Sequence, residues 1–113
     1  MKKIIILGST GSIGTQALDI VSSFPKQFLV VGLSAFGHND LIKAQIIKFK
    51  PQVVAIADSK KAQDLRQNFP DLEIIDGPQA NVELVKRCNA DIALVAIVGV
   101  AALKPALEAI KQK

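Results

Sequence analysis

The sequence has few of the residues that mark several classes of protein. It contains one cysteine, Cys88, no tryptophan or tyrosine, and five phenylalanines among 113 residues. A single cysteine excludes a disulfide scaffold and is typical of a reducing cytoplasm, and so few aromatic rings do not make a base-stacking platform. The longest apolar run, 92–103, is about half of the ~20 residues that a bilayer span needs. We therefore expect a cytoplasmic protein that contacts neither membrane nor nucleic acid.

Chain length and net charge limit the number of domains and the kinds of ligand that the protein can have. A chain of 113 residues can bury one core, so residues 1–113 are predicted to form one domain. Fourteen Lys and Arg stand against ten Asp and Glu, a net charge of +4, and the basic residues are scattered along the chain. This balance suits a small anionic ligand better than a nucleic-acid groove.

Short β-branched runs alternate with amphipathic stretches along the whole chain. Strands are predicted at 3–7, 28–33, 53–57, 72–75 and 91–98, and helices at 12–24, 40–49, 59–68, after 77–78, and at 103–113. Asn39 is a predicted helix cap, and Asp58 and Ser59 are both candidates for the cap of the third helix. The apolar residues that should form the buried face of the first helix are Ile13, Ala17, Ile20, Val21 and Phe24. This alternation predicts an α/β fold with a doubly wound, mostly parallel sheet.

The turn between the first strand and the first helix has a glycine pattern, Gly-Ser-Thr-Gly-Ser-Ile-Gly at 8–14. In a Rossmann-like NAD(P)-binding domain, such glycines allow the tight turn, the approach of a pyrophosphate and the packing of helix on strand. The free N–H groups of the helix start bind the diphosphate, and Thr10 and Ser12 add hydroxyl donors. No Gly-Lys-Ser/Thr follows, which excludes a Walker loop. A purely structural turn remains the alternative.

The end of the second strand indicates which dinucleotide is bound. NAD-binding domains place an acidic residue there, but residues 33–39 contain none and the first carboxylate is Asp40. The sequence therefore favours NADP, whose ribose phosphate a carboxylate would repel. His38 supplies positive charge when protonated; its alternative is a solvated loop residue. Asn39 can line the site and cap the helix together.

Gly99 follows the fifth strand, where ligands of open α/β sheets lie. It lines the cofactor crevice or forms a simple strand-to-helix turn, and the sequence leaves both open. We find no metal-spaced cluster of acidic or histidine residues and no nucleophile–base arrangement in the sequence. Cys88 is interpreted as a small core residue. The chain is thus predicted to carry a cofactor site and no catalytic or metal-binding residue.

Several segments together resemble the 1-deoxy-D-xylulose-5-phosphate reductoisomerase family. They are residues 8–14, Leu18 with Asp19, 33–39, Gln45, 49–51, 96–99, and Leu103, Pro105, Ala109 and Ile110. The resemblance runs over essentially the whole chain and covers the amino-terminal, NADPH-binding part of that family. It implies that the catalytic and carboxyl-terminal domains, with the metal and substrate ligands, lie outside this chain.

The resemblance implies an NADPH-dependent enzyme of the non-mevalonate isoprenoid pathway, homodimeric at full length. Such an enzyme rearranges 1-deoxy-D-xylulose 5-phosphate, with Mg²⁺ or Mn²⁺ holding the substrate, and reduces the product to 2-C-methyl-D-erythritol 4-phosphate. The resemblance implies that Thr10, Gly11, Ser12 and Ile13 hold the pyrophosphate and that Gly37, His38 and Asn39 surround the 2′-phosphate. Gly8, which the glycine pattern places in the same turn, is predicted to belong to the pyrophosphate group. By itself, the fragment is expected to be inactive.

Two positions depart from the family pattern. His38 stands where Lys or Arg is common, so attraction for the 2′-phosphate should weaken as pH rises through the histidine pKa. Ala102 stands where the family often has glycine. A non-catalytic NAD(P)-binding or sensing module is the alternative function, and a purely structural domain is a third. Carboxylates for a metal beyond Lys113 would distinguish the enzyme from both.

Overall fold

Five parallel strands form one sheet in the computed structural model, which describes residues 1–37 and 39–96 and, at Asn39, the backbone alone. The elements in chain order are β1 (Lys2–Leu7), α1 (Ser12–Ser22), β2 (Phe28–Ala35), α2 (Asn39–Phe49), β3 (Val53–Ile56), α3 (Ser59–Asn68), β4 (Glu73–Asp76), α4 (Ala80–Arg87) and β5 (Ile92–Val95). These elements confirm the predicted α/β fold. His38, Gly99 and the helix predicted at 103–113 lie outside the described residues. No described helix has the length and apolar character to cross a bilayer.

The strand order places β1 at a reversal of the chain's direction across the sheet. The order is β4-β3-β2-β1-β5, and each neighbouring pair is parallel. The chain therefore moves outward from β1 to β4 and then returns through α4 to the other side of β1. In open α/β sheets, ligands bind at the carboxyl ends of the strands beside such a switch point. The carboxyl end of β1 is thus the place at which this fold favours a ligand.

The sheet is covered on both faces. Helices α1, α2 and α3 pack on one face, with residues such as Leu18, Ile42 and Leu65 in the core, and α4 packs on the other face through Leu84. Two-sided burial explains why β1 is a continuous apolar run instead of an alternating one. Cys88 belongs to the second core, where burial raises the pKa of its thiol, which confirms its interpretation as a core residue.

The buried face of α1 differs from the predicted face. The residues that face the sheet are Gly14, Leu18 and Val21. Three of the apolar residues expected there, Ile13, Ile20 and Phe24, are 58%, 62% and 46% exposed. The prediction is confirmed for Val21, which is buried, and for Ala17, which packs against the core. It was wrong for the other three residues because it placed the buried stripe without considering Gly14. Gly14 packs its backbone against the preceding turn, and this contact rotates the helix so that the positions four and seven residues later face the sheet.

Helix α3 and edge strand β4 are joined by a polar cluster around Asp76. Arg66 Nη2 donates to Asp76 Oδ1 at 3.0 Å and to the Ile74 carbonyl oxygen at 2.9 Å. The hydrogen bond from Arg66, with a further one from Ser59, holds the pKa of the Asp76 carboxyl below its ordinary value. At its other end, α3 is capped as predicted, since Asp58 Oδ1 accepts from the N–H groups of Lys60 and Lys61.

We expect Asp76→Asn to lower the free energy of unfolding at neutral pH and to have a diminishing effect in acid. The folded-state pKa is lower than the ordinary value of 3.8, so the ionised carboxylate stabilises the fold above that pH. This stabilisation is lost as pH falls through the folded-state pKa. Urea unfolding followed by circular dichroism over a pH series measures the effect. Asp71→Asn removes the same charge from an exposed carboxylate, and identical pH profiles for the two variants would contradict the role of Arg66.

Candidate functional site

The turn after β1 is fixed to the end of β2 by backbone hydrogen bonds. Gly8 has a φ of +85°, in the left-handed region that glycine adopts without strain. Its N–H donates to the carbonyl oxygen and to the hydroxyl of Ser34, both at 3.0 Å, and Ser9 N–H donates to the same carbonyl at 2.7 Å. Ser34 itself is buried. The neighbouring strand therefore sets the direction in which the chain leaves β1.

A second buried contact holds the turn against α2. Ser9 Oγ donates to Gln45 Oε1 at 2.8 Å, and Gln45 Nε2 donates back to the Ser9 carbonyl oxygen at 2.8 Å. Both side chains are buried, so each satisfies polar groups that would be costly to leave unpaired. The Ser9 side chain thus points into the protein. The side of the turn that faces away from the core, called the outer side below, is left to backbone groups.

Two glycines of the turn have different roles. A Cβ added to Gly14 would overlap the Gly8 carbonyl and lie 2.7 Å from Ser9 Cα, so glycine is required for α1 to pack on the turn. This confirms the predicted packing role of the last glycine. A Cβ added to Gly11 would meet only the Gly8 carbonyl oxygen, at 3.6 Å, an ordinary contact. Because the fold does not require glycine at Gly11, its missing side chain leaves space on the outer side of the turn.

The amino terminus of α1 has neither a hydrogen-bonding cap side chain nor an acidic residue in its first turn. Gly11 caps the helix without a side-chain hydrogen bond, and no described residue accepts from the N–H groups of Ser12, Ile13 or Gly14. The other described helices each have a carboxylate at the cap or in the first turn, whereas α1 has none; these carboxylates are Asp40, Asp58 and Glu83. Free N–H groups and an unopposed helix dipole make this end suited to an anion.

The predicted site residues that the structure describes meet at one edge of the sheet. Gly8, Thr10, Gly11, Ser12 and Ile13 all lie in the turn or the first helical residues, and Ser12 and Ile13 are exposed. Gly37 follows β2, whose residue Ser34 pairs with Leu7 at the end of β1. The backbone of Asn39 begins α2. Parallel pairing therefore brings the turn and the segment before α2 to the same carboxyl edge.

The segment after β2 is also tied to the segment after β3. Ala57 N–H donates to the Ala35 carbonyl at 3.2 Å, and Asp58 N–H donates to the Phe36 carbonyl at 3.1 Å. Phe36 is 72% exposed, while Gly37 is buried.

Within residues 1–37 and 39–96, no group of three or more His, Cys, Asp or Glu side chains is arranged to hold a metal ion.

Two residues that support the site, Ser34 and Gln45, were not predicted to do so. Gln45 was named only among the residues of the resemblance, without a role. The signal was the presence of a polar residue at a core position of an otherwise apolar stripe, because a buried polar group needs a partner. Its partner could not be read locally, since Ser9 lies 36 residues away.

Comparison with known proteins finds that the chain is similar to members of one enzyme family. Residues 4–113 match the family model described as 1-deoxy-D-xylulose 5-phosphate reductoisomerase. The reductoisomerase of Thermodesulfovibrio yellowstonii is 46% identical over 112 residues, which are 99% of this chain and 29% of that protein. The reductoisomerase of Zymomonas mobilis in complex with NADPH superposes with a TM-score of 0.86 at 32% identity, covering 98% of this chain and 30% of that one.

A second solved structure, a DOX-P reductoisomerase in complex with magnesium, superposes with a TM-score of 0.88 at 28% identity. It covers 96% of this chain and 28% of that one. The chain thus spans less than a third of the length of the relatives that it matches.

We expect Gly14→Ala to lower the free energy of unfolding by about 2 kcal/mol or more, because the added methyl overpacks the contact with Gly8 and Ser9. Gly11→Ala is the matched control and should cost less than about 1 kcal/mol, since its φ of −79° suits alanine and its Cβ meets no close neighbour. Urea denaturation of both variants measures the difference. Equal losses would contradict the close packing at Gly14.

Proposed function

Because the chain belongs to the 1-deoxy-D-xylulose 5-phosphate reductoisomerase family, we propose that it is the NADPH-binding domain of such an enzyme. The observation that carries the proposal is the open amino terminus of α1 beside the switch point of the sheet. A pyrophosphate at this position accepts from the N–H groups of Ser12 and Ile13 and from the hydroxyls of Thr10 and Ser12. Of the other two residues predicted at the pyrophosphate, Gly8 gives the turn its direction and Gly11 leaves space beside the free N–H groups.

Gly11 supports the fit of a dinucleotide. Packing does not require glycine there, and a side chain would project on the outer side of the turn, beside the free N–H groups. A pyrophosphate that approaches the backbone closely needs this space. When bound, NADPH supplies the hydride for a reduction, and the residues of this chain hold and orient it.

The ribose 2′-phosphate is proposed to lie near Gly37, His38 and Asn39. No carboxylate occurs in residues 33–39 to repel it, and Gly37 is next to the turn at the carboxyl edge of the sheet. His38 and Gly99 are included on the sequence alone, because they lie outside the described residues. Gly99 is proposed to line the crevice on the far side of β1.

The activity is proposed for the whole enzyme of which this chain is a part. It rearranges 1-deoxy-D-xylulose 5-phosphate and reduces the product to 2-C-methyl-D-erythritol 4-phosphate, as a homodimer in the cytoplasm. The substrate, Mg²⁺ or Mn²⁺, and the catalytic groups are bound by residues outside this chain. The chain alone is therefore proposed to bind NADPH without turning over substrate. Membership of an enzyme family does not favour the alternative, a non-catalytic sensing module.

Isothermal titration calorimetry of the chain with NADPH and NADH tests the cofactor assignment. We expect tighter binding of NADPH than of NADH at about pH 6.5, with a smaller preference at about pH 8. An ordinary histidine is about half protonated at the lower pH and almost neutral at the higher one. The second ionisation of the phosphate, with a pKa of about 6, is mostly complete at both values and acts in the opposite direction. NADH serves as the control because it lacks only the 2′-phosphate. Equal affinities for the two dinucleotides, or no binding of either, would contradict the proposed site.

Gly11→Val should raise the dissociation constants of NADPH and NADH together, by about tenfold or more, because the side chain occupies the space proposed for the pyrophosphate. Gln16→Val places the same residue on an exposed position of α1 and should leave both constants unchanged. Circular dichroism establishes that each variant is folded. Unaltered affinity of folded Gly11→Val would remove the pyrophosphate from this turn.

A further inference from the structure

The side chain of Lys61 crosses the backbone of Gly37. A Cβ added to Gly37 would lie 2.5 Å from Lys61 Cδ, 3.4 Å from Cε and 3.3 Å from Nζ. The methylene stem of Lys61 thus lies over the glycine, which is buried although it belongs to a loop, while Lys61 remains exposed overall. The contact brings an ammonium group to the carboxyl edge of β2, within a few ångströms of the Gly37 backbone.

Hydrogen bonds hold the backbone of Lys61 close to the segment that precedes Gly37. The ends of β2 and β3 are paired, with Ala35 opposite Ile56, and Asp58 N–H donates to the Phe36 carbonyl at 3.1 Å. Asp58 in turn caps α3 and accepts from Lys61 N–H at 3.2 Å. Lys61 is therefore connected to the segment that precedes Gly37 by a short series of ordered contacts, so its approach to this loop follows from the fold.

The charge of Lys61 is not neutralised by a partner in the part of the chain that the structure describes. None of the described ion pairs involves it, whereas Arg66 on the same helix is paired with Asp76. The carboxylate of Asp58 is engaged by the N–H groups at the start of α3. A lysine side chain carries a positive charge at neutral pH. An unpaired ammonium beside Gly37 is therefore available to an anionic ligand.

We infer that Lys61 binds the ribose 2′-phosphate and makes the site prefer NADPH over NADH. The inference rests on the proposed function, because it assigns a residue to the same cofactor site. Lysine binds phosphate as a compact charge, and NADPH differs from NADH by the 2′-phosphate alone. Lys61 is thus a specificity-determining residue, supplied by α3, for a site whose backbone comes from β1, α1 and the β2 end.

A structural role for the Lys61 stem has to be separated from a role for its charge. Lys61→Met keeps an unbranched apolar chain over Gly37 and removes the ammonium, whereas Lys61→Arg keeps the positive charge. Lys60→Met is the matched control, since it removes the same charge from the adjacent exposed residue in the first turn of α3. Circular dichroism and urea unfolding establish that the variants are folded.

The measured quantity is the ratio of the dissociation constants of NADH and NADPH, obtained by calorimetry for each variant. Lys61→Met should lower this ratio about tenfold, the size expected for one charge-assisted hydrogen bond, by weakening NADPH and leaving NADH within about twofold. Lys61→Arg and Lys60→Met should keep most of the preference. An unchanged ratio in folded Lys61→Met, or an equal fall in Lys60→Met, would overturn the assignment of Lys61. Failure of the unsubstituted chain to bind NADPH would instead overturn the proposed function itself.

Discussion

The contact between the Gly8 carbonyl and the backbone at Gly14 is the constraint on which the candidate site depends. The Gly8 oxygen accepts from Gly11 N–H at 3.2 Å and leaves no space for a Cβ at Gly14. This approach determines the rotation of α1 about its axis, so that Leu18 and Val21 face the sheet. It also places the first turn of α1 directly at the end of β1. One close contact between two backbone segments therefore couples the packing of the first helix to the position of its free N–H groups.

The polar contacts of the turn are divided between its two sides. On the inner side, Ser34 holds the N–H groups of Gly8 and Ser9, and Gln45 pairs with Ser9 in both directions. These hydrogen bonds are buried, so breaking one would leave a polar group with neither a protein partner nor water, which destabilises the fold. On the outer side, no described residue accepts from the N–H groups of Ser12, Ile13 or Gly14. An anion can therefore bind there without displacing an internal hydrogen bond, and the site is preorganised by contacts that the ligand does not touch.

Local sequence pattern was sufficient to predict the helices and strands that the structure describes, because apolar periodicity and caps such as Asp58 depend on neighbouring residues. It was insufficient for the orientation of α1, since glycine contributes nothing to apolar periodicity although Gly14 decides which face is buried. The glycine turn was found because its residues are contiguous. The contacts of Gln45 with Ser9 and of Lys61 with Gly37 join elements 36 and 24 residues apart, and only the parallel pairing of the strands brings them together.

In the proposed site, the groups that bind any NAD(P) dinucleotide and the groups that distinguish NADPH from NADH lie in different parts of the fold. The proposed pyrophosphate subsite consists of backbone N–H groups, a helix dipole and the hydroxyls of Thr10 and Ser12, and NADH and NADPH would meet these groups equally. The proposed 2′-phosphate subsite would depend on side-chain charge, and the carboxyl edge of the sheet offers positions for such a charge on α3 as well as on the loop before α2. Because the ends of β2 and β3 are bound to each other by the Phe36 and Ala35 carbonyls, a cation on α3 reaches the same loop that His38 occupies in the sequence. If both assignments hold, cofactor preference depends on the ends of β2 and β3 together, and we expect a substitution at either end to alter the preference without altering the fold.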